Sequence, residues 1–132
     1  MPSTHLDTAL AYLRELEQGA TGEALARFFH PEVAYREYPN RLFPSGVSSD
    51  LRGMLEASER GQKAVGEQRF TVRHALADGD SVALELDWSG TLKIGRGPLT
   101  AGTTLRAAFG VFLTFREGRI HTQHNYDCYE PF

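Results

Sequence analysis

The segment Gly118-Arg119-Ile120-His121-Thr122-Gln123-His124-Asn125-Tyr126-Asp127-Cys128-Tyr129 reads as a strand entered through a tight turn, and only Glu130-Pro131-Phe132 follows it. Side chains alternate across a strand. His121, Gln123, Asn125 and Asp127 therefore share one face, and Ile120, Thr122, His124, Tyr126 and Cys128 share the other. Four hydrogen-bonding or ionisable groups in a row form either a solvated surface or the polar wall of a pocket.

Upstream, Leu105, Ala107, Phe109, Val111, Leu113 and Phe115 form an apolar row that Glu117-Gly118 turns into the last strand. Before it, Val82, Leu84, Leu86 and Trp88 alternate with Ala83, Glu85, Asp87 and Ser89. Asp78-Gly79 marks a hairpin with a preceding strand in which Phe70, Val72, His74 and Leu76 form the apolar set. The N-terminal part is helical. Leu6, Ala9, Leu10, Leu13 and Leu16 recur at a period of 3.6, with Thr4 and Asp7 as a capping box, Tyr12 at the edge of the stripe and Gly19 as the stop. A second helix is expected over 21–29, ended by His30-Pro31. A short strand over 33–38, a loop over 40–49 and a third helix follow, the helix capped by Asp50 and closed by Gly61. Helices followed by a meander predict one α+β domain over 1–132, with three N-terminal helices packed on a strongly curved, mostly antiparallel sheet. Gly90, Gly95, Gly97, Gly102 and Gly110 would help the sheet to bend.

A net charge of -3 over 132 residues offers no clustered cation to attract nucleic acid. No apolar run is long enough to cross a membrane, and the start lacks a secretory pattern, so the expected location is cytoplasmic. Cys128 is the only cysteine and cannot form an internal disulfide. No phosphate-binding glycine loop, His-Glu-x-x-His pair or Gly-x-Ser-x-Gly elbow occurs. Neither a metal nor an organic cofactor is signalled.

The order of these elements resembles the nuclear transport factor 2-like superfamily. So do Leu16-Glu17-Gln18-Gly19, Phe28-Phe29-His30-Pro31-Glu32-Val33, Phe115-Arg116-Glu117-Gly118-Arg119-Ile120 and Asn125-Tyr126-Asp127. Within it the chain looks most similar to the branch of SnoaL-like polyketide cyclases and ketosteroid isomerases. The resemblance implies a cone-shaped fold around a pocket, a homodimer built on the outer sheet face, and a small apolar or aromatic molecule as partner. By position, Tyr12 stands where the isomerases carry a helix tyrosine, and Glu37 where they carry the general-base aspartate. Val111 stands where they carry a second acid, so that acid is not carried over. Limonene epoxide hydrolases are also similar, but the places of their three catalytic residues hold Leu86, Trp88 and Asn125 here. Both comparisons turn Gln123, Asn125 and Asp127 toward the pocket.

Glu37 is the expected base. The competing reading pairs it with Arg36 or Arg41 in solvent. Tyr12 and Asn125 would hydrogen-bond an oxygen that gains charge, and Asp127 would relay or return the proton. Each also has a purely structural reading, as an amphipathic core tyrosine, a backbone-bonded amide or a solvated terminal carboxylate. Tyr35, Trp88, Phe109, Val111 and Gln123 are expected to contact the ligand. His74, His121 and His124 have no evident partner and read as structural.

Overall fold

The computed structural model describes residues 4–132. Its elements are α1 (His5–Glu17), α2 (Glu23–Ala26), β1 (Phe29–Glu37), β2 (Val47–Ser49), α3 (Leu51–Ala64), β3 (Val65–Asp78), β4 (Ser81–Leu92), β5 (Thr104–Arg116) and β6 (Arg119–Tyr129). The six strands form one mixed sheet in the order β2-β1-β6-β5-β4-β3. All neighbours are antiparallel except β1 and β6, which run parallel. This is an α+β fold with few helices and a curved sheet.

Local chemistry accounts for the elements. Thr4 Oγ1 accepts from the Asp7 N–H at 3.0 Å, and an Asp7 carboxylate oxygen accepts from the Thr4 N–H at 3.2 Å, closing a reciprocal cap on α1. Asp50 Oδ1 accepts from the Gly53 N–H at 2.9 Å and starts α3. Glu117 and Gly118 both have positive φ, as a two-residue hairpin between right-twisted strands requires. The inner rows of β4 and β5 are buried. Leu86 and Leu113 are almost completely enclosed, and each such side chain contributes about 2 kcal/mol by leaving water.

α1 packs across β3 and β4, and α3 packs against β1 and β3. The C-terminal end of α1 is tied to the edge strand. The Leu16 carbonyl accepts from Gln68 Nε2 at 2.9 Å, and Glu17 accepts from the Phe70 N–H at 2.7 Å. Among the core residues, Ala9, Tyr12 and Leu13 come from α1 and meet the inner face of the sheet.

Several boundaries differ from the sequence reading. The second helix is one short turn, Glu23–Ala26, because Phe29, His30 and Pro31 already belong to β1. Within the 40–49 segment, Val47–Ser49 pairs with β1 as an edge strand. Gly61 lies inside α3, which continues to Ala64. So β1 and β2 separate α3 from the first two helices.

Two of the register shifts in the sheet move side chains away from the faces that alternation assigns them. In β3 the register shifts between Val72 and His74, so Phe70 stands opposite Trp88 on the inner face while Ala75 stands opposite Leu84. Leu76 thereby moves to the outer face, where it is 71% exposed, and His74 pairs there with Glu85 at 3.0 Å. In β6 the shift falls where Thr114 pairs with Thr122 and Phe115 with Ile120. Ile120 joins the core, and His121 is displaced from the row of Gln123, Asn125 and Asp127 to lie against the His30 ring, centroids 5.3 Å apart.

Candidate functional site

The parallel pairing of β1 with β6 assembles the site. It sets Tyr35 beside Gln123 and Glu37 beside Asn125. On the other flank of β6, Val111 stands beside Asn125 and Phe109 beside Asp127. A strip of polar groups therefore runs between aromatic and aliphatic neighbours along the inner face. It borders a cavity of about 370 Å³ that Phe43, Met54, Phe70 and Tyr129 also line.

The strip is hydrogen-bonded in one direction. Tyr12 Oη donates to Gln123 Oε1 at 3.1 Å, and Gln123 Nε2 donates to Asn125 Oδ1 at 2.9 Å. Asn125 Nδ2 donates to Asp127 Oδ1 over a long 3.4 Å. Glu37 sits beside this chain with a donor on each oxygen. Tyr35 Oη donates to Oε1 at 2.7 Å, and Asn40 Nδ2 donates to Oε2 at 2.8 Å. Glu37 is 8% exposed, so neither oxygen relies on bulk water. Arg36 is spent on Val47 and Ser48, and Arg41 on the Phe132 carbonyl, so neither arginine is hydrogen-bonded to Glu37.

The two carboxylates stand in different surroundings. Asp127 receives only the weak Asn125 contact. Burial, and then the charge of Glu37, push its pKa up to about 7 against the small opposing effect of Asn125. Tyr12 is raised to about 12, mainly by burial, with its bond to Gln123 acting the other way. Burial, reinforced by the Glu37 charge and hydrogen bond, holds Tyr35 far above its ordinary value. Tyr129 is raised by burial and by Asp127 and Glu37, with Arg96 opposing. The three phenols therefore keep their protons near neutral pH and act as donors.

Tyr12, Tyr35, Glu37, Phe109, Val111, Gln123, Asn125 and Asp127 all border the cavity. Trp88 does not. Its ring stacks on Phe109 with centroids 5.5 Å apart, and its Nε1–H donates to Gln68 Oε1 at 3.0 Å. Gly90 makes room for that ring, since a Cβ there would lie 2.5 Å from Trp88 Cζ2. Tyr12 reaches the cavity wall, but its hydroxyl proton is committed to Gln123. His74 is on the outer face, and the His124 ring lies edge-on to Tyr38.

Sequence reasoning missed Asn40, Phe43, Phe70 and Tyr129. Tyr129 was within reach of alternation, since it continues the row after Asp127. Asn40 and Phe43 lie in a loop without periodicity, and the turn of that loop sets the Asn40 amide against Glu37 and Phe43 along the cavity. A depression of about 620 Å³ on the outer face is larger, and Arg69, Arg73, Asp87, Arg106 and Glu130 line it, with Arg73 paired to Asp87 at 3.1 Å.

Among the described residues, His30, Glu32 and His121 are close enough to be considered as metal ligands. The Glu32 N–H donates to His30 Nδ1 at 3.0 Å, which leaves the ring proton on Nε2, the atom that would have to bind the ion.

A family model described as a SnoaL-like domain matches residues 9–122. No curated protein sequence matches the chain. Among solved structures, IdmH from Streptomyces antibioticus superposes with a TM-score of 0.78 at 22% identity, covering 95% of this chain and 92% of that one. A SnoaL-like polyketide cyclase from Agrobacterium tumefaciens gives 0.71 at 22%, covering 96% and 92%. A protein with a ketosteroid isomerase-like fold from Catenulispora acidiphila, solved with trimethylamine, gives 0.70 at 18%, covering 93% and 86%. Likeness at these identities establishes the fold. No helix among the described residues is long and apolar enough to cross a membrane.

Proposed function

The chain belongs to the SnoaL-like domain family, and on that premise we propose that its cavity binds a small, largely apolar carbonyl compound and removes a proton next to the carbonyl. The observation that carries this reading is the unequal pair of carboxylates. Glu37 is gripped by one donor on each oxygen, whereas Asp127 is buried with a single weak donor and pushed up to about 7. Two acids held in unlike environments divide the roles of base and acid. Glu37 takes the proton as the C–H electron pair moves into the developing enolate. Asn125 Nδ2 carries a second hydrogen not used by Asp127, which donates to the oxygen gaining charge. Protonated Asp127 returns a proton to carbon or oxygen. Isomerisation, cyclisation and dehydration all begin with this step, and it needs no metal or organic cofactor.

The test is exchange of the α-protons of 2-tetralone in D2O, followed by proton NMR. Glu37→Gln should slow the catalysed exchange at least about a hundredfold, the usual scale for loss of a positioned base. An unchanged rate in that variant refutes Glu37 as base. A second reading is a carrier without chemistry. It draws on the commitment of Tyr12 and Gln123 to one another, which leaves few free donors for a substrate. Saturable quenching of Trp88 by 2-tetralone with no exchange in the wild type would select it.

A second copy of this chain is the proposed protein partner. The outer face exposes Leu76, Phe112 and Tyr126 beside the Arg73–Asp87 and His74–Glu85 pairs, a mixture of apolar area and both charges that suits a self-complementary contact. Asp127 and Glu37 lie on the opposite face, so each protomer would keep its own cavity.

A further inference from the structure

We propose that Asn40 is a positioning residue that couples the candidate base to the loop at the cavity mouth. The inference rests on the reading of Glu37 as base only for its kinetic arm. Asn40 uses every polar valence of its amide. Nδ2 donates to Glu37 Oε2 at 2.8 Å and to the Tyr38 carbonyl at 2.9 Å. Oδ1 accepts from the N–H groups of Leu42 and Phe43, both at 3.0 Å. The Asn40 N–H in turn donates to the Phe43 carbonyl at 3.1 Å.

One side chain therefore folds the 40–43 segment and pins it to the carboxylate. The product of that folding is Phe43, whose ring lines the cavity while remaining 39% exposed to solvent. The far side of the loop is held independently. Arg96 Nη2 donates to the Leu42 carbonyl at 2.9 Å, and its guanidinium lies 5.1 Å from the Phe43 ring centroid. Phe43 is thus fastened inward through Asn40 to Glu37 and outward through Arg96. A hydrogen bond to an ionised acceptor is about twice as strong as a neutral one. The order of the loop therefore follows the charge on Glu37, and the orientation of Glu37 follows the order of the loop.

Amide hydrogen exchange of Leu42 and Phe43 tests the coupling without reference to catalysis. Asn40→Ala should accelerate both amides about tenfold, and Glu37→Gln about threefold. The double variant should exchange no faster than Asn40→Ala alone, because both changes break one linkage. Additive effects, or no effect of Glu37→Gln, overturn the proposal. Asn40→Asp provides the second arm. It keeps the oxygen that orders the loop but sets a carboxylate against Glu37, so exchange should quicken at neutral pH. Adding Glu37→Gln supplies an N–H toward the new carboxylate and should recover part of the lost protection, the remainder being the bond to the Tyr38 carbonyl that a carboxylate cannot donate. If Glu37→Gln recovers none of it, Asn40 is a loop residue independent of Glu37.

The kinetic arm uses 2-tetralone. Asn40→Ala should lower kcat about tenfold with little change in KM. If the wild type exchanges no tetralone protons, the base reading fails while the amide-exchange cycle still decides the coupling.

Discussion

At Asp127 the acid–base reading and the stability of the fold meet. Its folded pKa of about 7 lies above the ordinary 3.8. A raised acid contributes fully below its unfolded pKa and loses that contribution as pH rises through its folded pKa. Stability should therefore fall between about pH 4 and pH 7 on account of this residue. Asp127→Asn should flatten that slope and be more stable than the wild type at pH 8 by about 2 kcal/mol, measured by urea unfolding across pH. Because the Glu37 charge is the second cause of the shift, Glu37→Gln should bring the Asp127 titration below 7, read from its carboxyl carbon by NMR. A midpoint that stays in place would mean that burial alone raises Asp127. Tyr12 belongs to another class of effect. Its proton goes to Gln123, so Tyr12→Phe should cost about 1 kcal/mol of stability and leave tetralone exchange within about threefold.

At the scale of elements, caps and close approaches decide the outcome. Asp50→Ala should cost about 1 kcal/mol by freeing the N–H of Gly53. Since Met54, Ala57 and Ser58 of α3 form part of the cavity wall, the same change should weaken 2-tetralone binding, followed through Trp88 fluorescence. In β4, Gly90→Ala would drive a methyl group into the Trp88 ring, at a cost of about 1–3 kcal/mol in thermal or urea unfolding. A neutral result there would show that the indole can lift away from the strand. The strands themselves were legible from alternation wherever pairing is regular, as in the buried rows of β4 and β5. Alternation failed where the register shifts: one extra residue turned Leu76 outward in β3, and another carried Ile120 inward in β6. No local signal marks a bulge, because it is a property of two strands meeting and not of either one.

For the whole molecule, the sheet has two faces with different work. The inner one holds the cavity, and the outer one carries Phe112, 51% exposed, together with Tyr126 and Leu76. If a second copy covers that face, the wild type should sediment as a dimer and Phe112→Asp as a monomer. Tetralone binding should survive in the monomer, because the cavity lies on the opposite side. A wild type that sediments as a monomer removes the second copy as the occupant of the outer face.

Composition and periodicity by themselves determined the α+β class, the capped first and third helices, the buried rows of β4 and β5, and the shared face of Gln123, Asn125 and Asp127. Those features depend on interactions between near neighbours or on the repeat of one strand, and both are written locally. Glu37, and the turning of that face toward a pocket, came from the family resemblance. Tertiary structure alone decided that β1 runs parallel to β6, that Glu37 meets Tyr35 and Asn40 instead of an arginine, and that Trp88 packs behind Phe109 and does not border the cavity. The strand pairing and the Trp88 packing join residues far apart in the chain and gain their energy only as the sheet closes. Tyr35 and Asn40 lie two and three residues from Glu37, and there the fold adds the turn that brings the Asn40 amide back onto the carboxylate.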